Sequence, residues 1–151
     1  AVVVKSKAEA RKLRFGADER VTVISQTTQS SANFREAVCA IRARHPRAIG
    51  VINSICRDAE DRQSAARRLA RKADVMLIVG GRNSANTRRL YEVSRKLCRA
   101  SHHIETERDV RQSWFKPEDV VGITSGASTP DSVIEKVVQQ VTNKTHKKGR
   151  L

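Results

Sequence analysis

Four short polar segments of this 151-residue sequence carry the residue types that could do chemistry, and each follows a run of β-branched residues. They are Gln26-Thr27-Thr28-Gln29-Ser30, Asn53-Ser54-Ile55-Cys56, Gly80-Gly81-Arg82-Asn83-Ser84-Ala85-Asn86 and Ser125-Gly126-Ala127-Ser128-Thr129. Hydroxyls, amides, glycines and one thiol fill them, and no carboxylate does. Such a set suits a small polyanion. Gly80 and Gly81 let the backbone approach closely, and the helix that follows offers unpaired N–H groups and a positive dipole end. Ser84 and Asn86 add neutral donors there, and Ser128 does the same ahead of the last helix. Each of these residues is also an ordinary cap or turn residue, so the weight rests on all four segments together. Cys56 could be a nucleophile, a metal ligand or neither. A nucleophile wants a histidine base, yet His45, His102, His103 and His146 all fall outside these segments. No H-E-x-x-H, Walker or complete dinucleotide glycine motif is present.

The elements that must position these segments follow from periodicity. Strands are predicted at residues 2–4, 21–24, 48–52, 75–79 and 120–124, with a weaker one at 103–105. The run at 75–79 is apolar throughout, as in a strand buried on both faces. A first helix opens at Ser6, where Ser6 and Glu9 have the spacing of a capping box. Helices are predicted at 31–45, with Phe34, Val38 and Ile41 as its buried stripe and Pro46 closing it, and at 58–73. Another is predicted at 86–99, with Leu90, Val93 and Leu97 on one face. A last helix has Thr129 as cap and Pro130 at its first position. Alternating strands and helices give an α/β protein with parallel sheets and right-handed crossovers. Ligands bind such sheets at the carboxyl ends of the strands, so the four segments are expected at one edge.

Composition narrows the classes. Thirty Lys and Arg against 16 Asp and Glu give a net charge of +14, which favours phosphate-bearing partners and allows nucleic acid among them. Aromatic residues are only 3%, in no pattern that would stack bases on a sheet face, which speaks against dedicated sequence-specific nucleic-acid reading. The basic residues spread through every helix, and only Lys147-Lys148-Gly149-Arg150 forms a cluster. No apolar run approaches the ~18 residues of a membrane span, and no secretory signal opens the chain. Without an initiator Met, the sequence reads as a fragment or a processed chain. Cys39, Cys56 and Cys98 are widely spaced and odd in number, which fits a reducing compartment rather than a disulfide scaffold. Cys39 and Cys98 read as buried helix residues.

At the four segments the sequence resembles the (E)-4-hydroxy-3-methylbut-2-enyl diphosphate reductase family, IspH or LytB. The matching strings are Gln26-Thr27-Thr28-x-Ser30, Asn53-Ser54-Ile55-Cys56 with Arg62-Gln63, Gly80 to Asn86 with Arg89-Leu90, and Gly126-Ala127-Ser128-Thr129-Pro130-Asp131. They stand in family order, and the likeness runs from residue 1 to about residue 142. The resemblance implies IspH-like αβα lobes around a central iron–sulfur (4Fe-4S) cluster, with one cysteine ligand from each lobe. It implies reductive dehydroxylation to isopentenyl and dimethylallyl diphosphate in the non-mevalonate isoprenoid pathway, with ferredoxin or flavodoxin as electron donor. Residue by residue, it implies Cys56 as the cluster ligand of the third lobe and Thr28, Ser84, Asn86 and Ser128 as substrate-binding residues. Thr27 would be the catalytic residue near the substrate hydroxyl, in the proton-relay region. The place implied is the bacterial cytoplasm or the plastid stroma.

Departures from the family accompany the likeness. Residues 1–52 correspond to part of a second lobe, 53–142 to the third, and 143–151 to a basic tail. The first lobe is missing, and with it two cluster cysteines, the histidines of the diphosphate pocket and the glutamate of the proton relay. Ala85 stands where many members have serine, and Ala59 where threonine is usual. An iron–sulfur cluster takes about three or four thiolates, so this chain is expected to hold none stably and to need the missing lobe in cis or in trans. Two other readings stand beside the partial reductase. One is a non-catalytic basic subunit, structural or RNA-associated, derived from a reductase lobe. The other is a binder of phosphate ligands without redox chemistry.

Overall fold

The computed structural model describes residues 1–16, 19–46 and 49–146, the side chains of 144–146 excepted. The chain packs as two compact units, Ala1–Glu60 and Asp61–Leu151. This division by compactness is distinct from the lobe boundary expected after residue 52.

The first unit holds α1 (Lys7–Lys12), β1 (Val21–Ile24), α2 (Ser31–Arg42) and β2 (Ile49–Ile52). β1 and β2 pair in parallel, Val21 opposite Ile49 and Ile24 opposite Ile52. Phe34, Val38 and Ile41 are buried, as their helical spacing predicts. Ala10, Ala40 and Ile41 form the centre of the unit's core, with Leu13, Phe15, Val23 and Ile49 packed on it. Ser6 caps α1 by accepting the N–H of Glu9 at 3.2 Å. The Glu9 carboxylate takes the N–H of Lys5 at 2.7 Å, so the reciprocal half of the box sits one residue early. Residues 2–4 are not a strand. Val2 and Val3 are 69% and 79% exposed, and among the described residues β1 and β2 pair only with each other. An apolar run without a hydrogen-bonded neighbour has no ladder to join.

The second unit holds most of α3 (Arg57–Ala70), then β3 (Val75–Val79), α4 (Ala85–Arg95), β4 (Ser101–Ile104), β5 (Val121–Ser125) and α5 (Asp131–His146). Two short 3-10 turns, Glu107–Asp109 and Gln112–Trp114, lie between β4 and β5. The sheet order is β4-β3-β5, all parallel. β3 is the central strand, and every one of its residues is buried. Its pleat sends Val75, Leu77 and Val79 into one core with Ile104, Phe115 and Val137, while Met76 and Ile78 enter the other with Ala66, Ala70 and Leu90. The unit is therefore α/β/α, with α3 and α4 on one face and α5 on the other. Each large side chain buried there contributes about 1.5–3 kcal/mol.

Several expected positions shift. β4 starts at Ser101 rather than 103, and α4 ends at Arg95, which leaves Leu97 42% exposed. Cys98 is buried beyond the helix, its thiol donating to the Asp74 carbonyl at 3.3 Å. Cys39 was expected to be buried and is exposed, because α2 buries Val38 and Ile41 and Cys39 lies off that stripe. α5 begins at Asp131, and the Pro130 carbonyl accepts the N–H groups of Val133 and Ile134 at 3.0 and 3.4 Å. The start is thus one residue later than Thr129 capping would give. α5 continues to His146, while the cluster at 147–150 and Ala48 lie outside the described residues.

Candidate functional site

The four polar segments leave two sheets rather than one. Those after β1 and β2 belong to the first unit, and those after β3 and β5 to the second.

In the first unit Ser25 ties the two exits together. It is buried, its N–H donates to the Ile52 carbonyl at 3.3 Å, and its Oγ accepts the N–H of Ser54 at 2.9 Å. The Ser54 hydroxyl donates back to the Ser25 carbonyl. Asn53 folds over its own segment, its Oδ1 accepting the N–H of Ile55 at 3.2 Å. Cys56 then enters α3 as the residue before its first turn, its carbonyl accepting the N–H of Glu60 at 3.1 Å. The Cys56 N–H donates to the Thr27 carbonyl at 2.8 Å, so thiol and threonine hang from bonded backbone segments. Both residues are exposed, and Thr28 beside them is half-buried. Ser30 caps α2, accepting the N–H of Asn33 at 3.5 Å.

In the second unit the exits of β3 and β5 are adjacent strand ends. Gly126 N–H donates to the Val79 carbonyl at 3.0 Å, and the Thr129 hydroxyl donates to the same oxygen at 3.1 Å. Gly80 has φ +145°, a conformation open to glycine and rarely to other residues. A Cβ there would lie 2.7 Å from Thr87 Oγ1 and 2.8 Å from Thr129 Oγ1. One on Gly126 would collide with Thr87 Oγ1 as well. The two glycines therefore close the loops onto the fully buried Thr87. Ser84 caps α4, its Oγ accepting the Thr87 N–H at 3.3 Å, which leaves the Ser84 proton free to donate. The amides of Ala85 and Asn86 belong to the first turn, which has no intrahelical partners. The Oδ1 of Asn86 and the Oγ1 of Thr87 are buried and lack a hydrogen-bond partner among the described residues. Ser128 is exposed at the tip of the other loop.

Of the expected residues, Ser84 and Ser128 thus lie on two loops joined at Val79 and Asn86 in the first turn of α4, while Cys56, Thr27 and Thr28 share the first unit. Thr87 escaped the sequence reading, and Thr129, read there as a helix cap, instead bonds the Val79 carbonyl. The doublet Gly80-Gly81 ahead of a threonine in the first helical turn was the available signal. Among the described residues no three His, Cys, Asp or Glu side chains gather to hold a metal ion. Cys39 and Cys98 lie on other elements, so the donors of the described chain do not by themselves fit an iron–sulfur cage, which takes about three or four thiolates. No helix among the described residues is long and apolar enough to cross a membrane.

The chain is similar to known proteins in sequence and in fold. The family model for LytB protein matches residues 1–142. A 4-hydroxy-3-methylbut-2-enyl diphosphate reductase from Anaeromyxobacter sp. (strain Fw109-5) is 47% identical over 119 residues, 79% of this chain and 42% of that protein. One from Campylobacter concisus (strain 13826) is 39% identical over 139 residues, 92% of this chain and 50% of that protein. The chain thus spans about half the length of the curated relatives it matches. Among solved structures, the E-1-hydroxy-2-methyl-but-2-enyl-4-diphosphate reductase of Plasmodium falciparum superposes with a TM-score of 0.80 at 28% identity, covering 93% of this chain and 44% of that one. A second, the (E)-4-hydroxy-3-methyl-but-2-enyl diphosphate reductase described as the terminal enzyme of the non-mevalonate pathway, gives 0.57 at 44% identity, covering 83% of this chain and 44% of that one. With parallel sheets, flanking helices and a match over nearly its whole length, this chain belongs to the LytB protein family.

Proposed function

We propose that the chain is a portion of a 4-hydroxy-3-methylbut-2-enyl diphosphate reductase, inactive alone, that supplies the diphosphate-holding loops and one ligand of an iron–sulfur cluster. The observation that carries the reading is the loop pair at Val79, where glycines, helix-start amides and the hydroxyls of Ser84 and Ser128 follow two adjacent strands in loops that contain no carboxylate of their own; Glu105, after β4, accepts the Arg82 N–H at 2.9 Å. Such donors hold a pyrophosphate group through hydrogen bonds and the dipole of α4. Asn86 belongs with these loops, and the family likeness gives Thr28, in the first unit, a substrate-binding role of its own. Cys56 gives the cluster its thiolate, at a helix start that favours negative charge. Thr27, bonded to the Cys56 backbone, serves near the substrate hydroxyl. The remaining cluster cysteines come from a further lobe, in cis or in trans, and ferredoxin or flavodoxin delivers the electrons.

Reconstitution with iron and sulfide under argon tests this. The expected result is no stable visible absorption band and no turnover by the chain alone. Restored turnover is expected once a lobe carrying the other two cysteines is added. A stable band with turnover by this chain alone overturns the assignment. A second reading, a basic structural or RNA-associated subunit, is favoured by the net charge of +14. The reading frame upstream of Ala1 separates the two: a further lobe containing two cysteines supports the reductase.

A further inference from the structure

The basic residues that look scattered along the sequence converge at the outer edge of β4. A cavity of about 670 Å³ lies there, with α4 on one side of the strand and the two 3-10 turns on the other. Six guanidinium groups line it against a single carboxylate, Asp109, and no lysine is among them. Asp109 is already committed, its Oδ2 accepting the N–H groups of Glu105 and Thr106 at 2.9 and 3.1 Å. Arg82 faces Glu105 at 3.7 Å. Arg95 donates to the Tyr91 hydroxyl at 2.7 Å, a bond that leaves its charge unbalanced. Arg88, Arg99 and Arg108 are exposed and make no ion pair among the described residues. So much like charge in one concavity repels itself and is relieved by an anion with several oxygens. Arginine forks match phosphate oxygens in pairs, which lysine cannot do.

The same cavity contains a flat apolar platform. Trp114 is half-buried and stacks on His102, ring centroids 3.8 Å apart and planes 2° from parallel. The Arg111 guanidinium lies 6.0 Å from the Trp114 ring centre. A stacked pair at the wall of a cationic cavity suits a planar aromatic ring joined to a negatively charged group. The volume also falls within the ~300–1,000 Å³ of small-molecule sites.

We propose that this cavity binds a nucleotide, its phosphates on Arg88, Arg95, Arg99 and Arg108 and its base against the Trp114–His102 stack. A free nucleoside triphosphate and one unit of a single-stranded RNA offer the same chemistry. The proposal stands on residues other than those assigned to the reductase, so either can fail without the other.

Trp114 is the only tryptophan in the chain, so its fluorescence reports the site directly. The full chain is titrated at low salt with ATP, inorganic tripolyphosphate, a short oligouridylate and polyglutamate. Saturable quenching by ATP, about tenfold or more tighter than by tripolyphosphate, is the expected result, because a stacked base adds to the phosphate contacts. The oligouridylate quenching where ATP does not would assign the site to RNA, and the base-on-Trp114 proposal would stand. The double substitution Arg99→Ala with Arg108→Ala is expected to weaken binding about tenfold or more, with the far-UV spectrum unchanged since both side chains are exposed. Calorimetry of that variant gives a second readout. Tripolyphosphate binding as tightly as ATP, quenching by polyglutamate but not by nucleotides, no response to ATP or oligouridylate, or full affinity in the double variant would each overturn it.

Discussion

The backbone N–H of Cys56 donates to the carbonyl of Thr27 at 2.8 Å, which links the exits of β1 and β2 whatever side chain residue 56 carries. The thiol itself is exposed and contributes nothing to the core. Cys56→Ser should therefore change stability by less than about 0.5 kcal/mol, as exposed substitutions do. The same variant should abolish turnover of any reconstituted whole enzyme. Thermal melts beside an activity assay check both halves, and full activity would remove the ligand role from Cys56.

The two glycines around Thr87 are sensitive for different reasons, and the difference is measurable. Gly126→Ala meets Thr87 Oγ1 in an otherwise permitted backbone, so the cost is overpacking, about 1–3 kcal/mol. Thr87→Ala removes the colliding atom and should restore most of that loss. Gly80→Ala meets the same oxygen but also meets Thr129 Oγ1 at 2.8 Å and carries φ +145°, a clash and a strain that Thr87→Ala leaves in place. Chemical denaturation of the singles and doubles should show strong coupling for Gly126 with Thr87, and only partial rescue for Gly80. Equal rescue at both would mean that backbone strain at Gly80 is unimportant.

Burial predicts an uneven stability. Leu77 is fully buried on the central strand, and Leu77→Ala should cost about 2–5 kcal/mol. In the first unit Ile24 and Ile52 are 64% and 51% exposed, on a sheet of two strands. Amide exchange should therefore be slowest in β3 and faster by orders of magnitude in β1 and β2, since poorly buried elements open locally. Equal protection across both sheets would contradict this.

Where the sequence was legible, one local signal sufficed. The unbroken apolar run at β3, the Phe34–Val38–Ile41 stripe and the hydroxyl-rich strand exits are patterns along the chain, and each lies where periodicity puts it. Placement failed where a neighbour decides the outcome. Residues 2–4 have strand composition but no pairing partner among the described residues. Thr129 has the look of a cap, yet its hydroxyl donates across to Val79, 50 residues away. That four exits leave two sheets could not be read from spacing, because spacing does not say which strands pair. The arginine cavity was invisible for the same reason. Its six arginines come from α4, the first 3-10 turn and the connecting residues Arg82, Arg99 and Arg111, and each alone looks like part of a solvated face.

The stack of His102 on Trp114 also sets a pH dependence. Burial, and then the charges of Arg95 and Arg111, hold His102 below its ordinary value of 6.5. The folded state thus takes up the proton later than the unfolded state as pH falls. Above 6.5 both states are neutral and stability does not vary through this group. Below 6.5 the unfolded state is protonated first, so stability declines until pH passes the lowered value of the folded protein. Asp109 is also held low, by the backbone N–H groups of Glu105 and Thr106, and its contribution is lost only below its ordinary 3.8. A fall in Tm between about pH 7 and 5 is therefore assigned to His102 rather than Asp109. His102→Phe keeps a flat ring on Trp114 and removes the titrating nitrogen, so its Tm should fall less than that of the wild type over the same range. Parallel pH profiles for the two proteins would show that another group carries the effect.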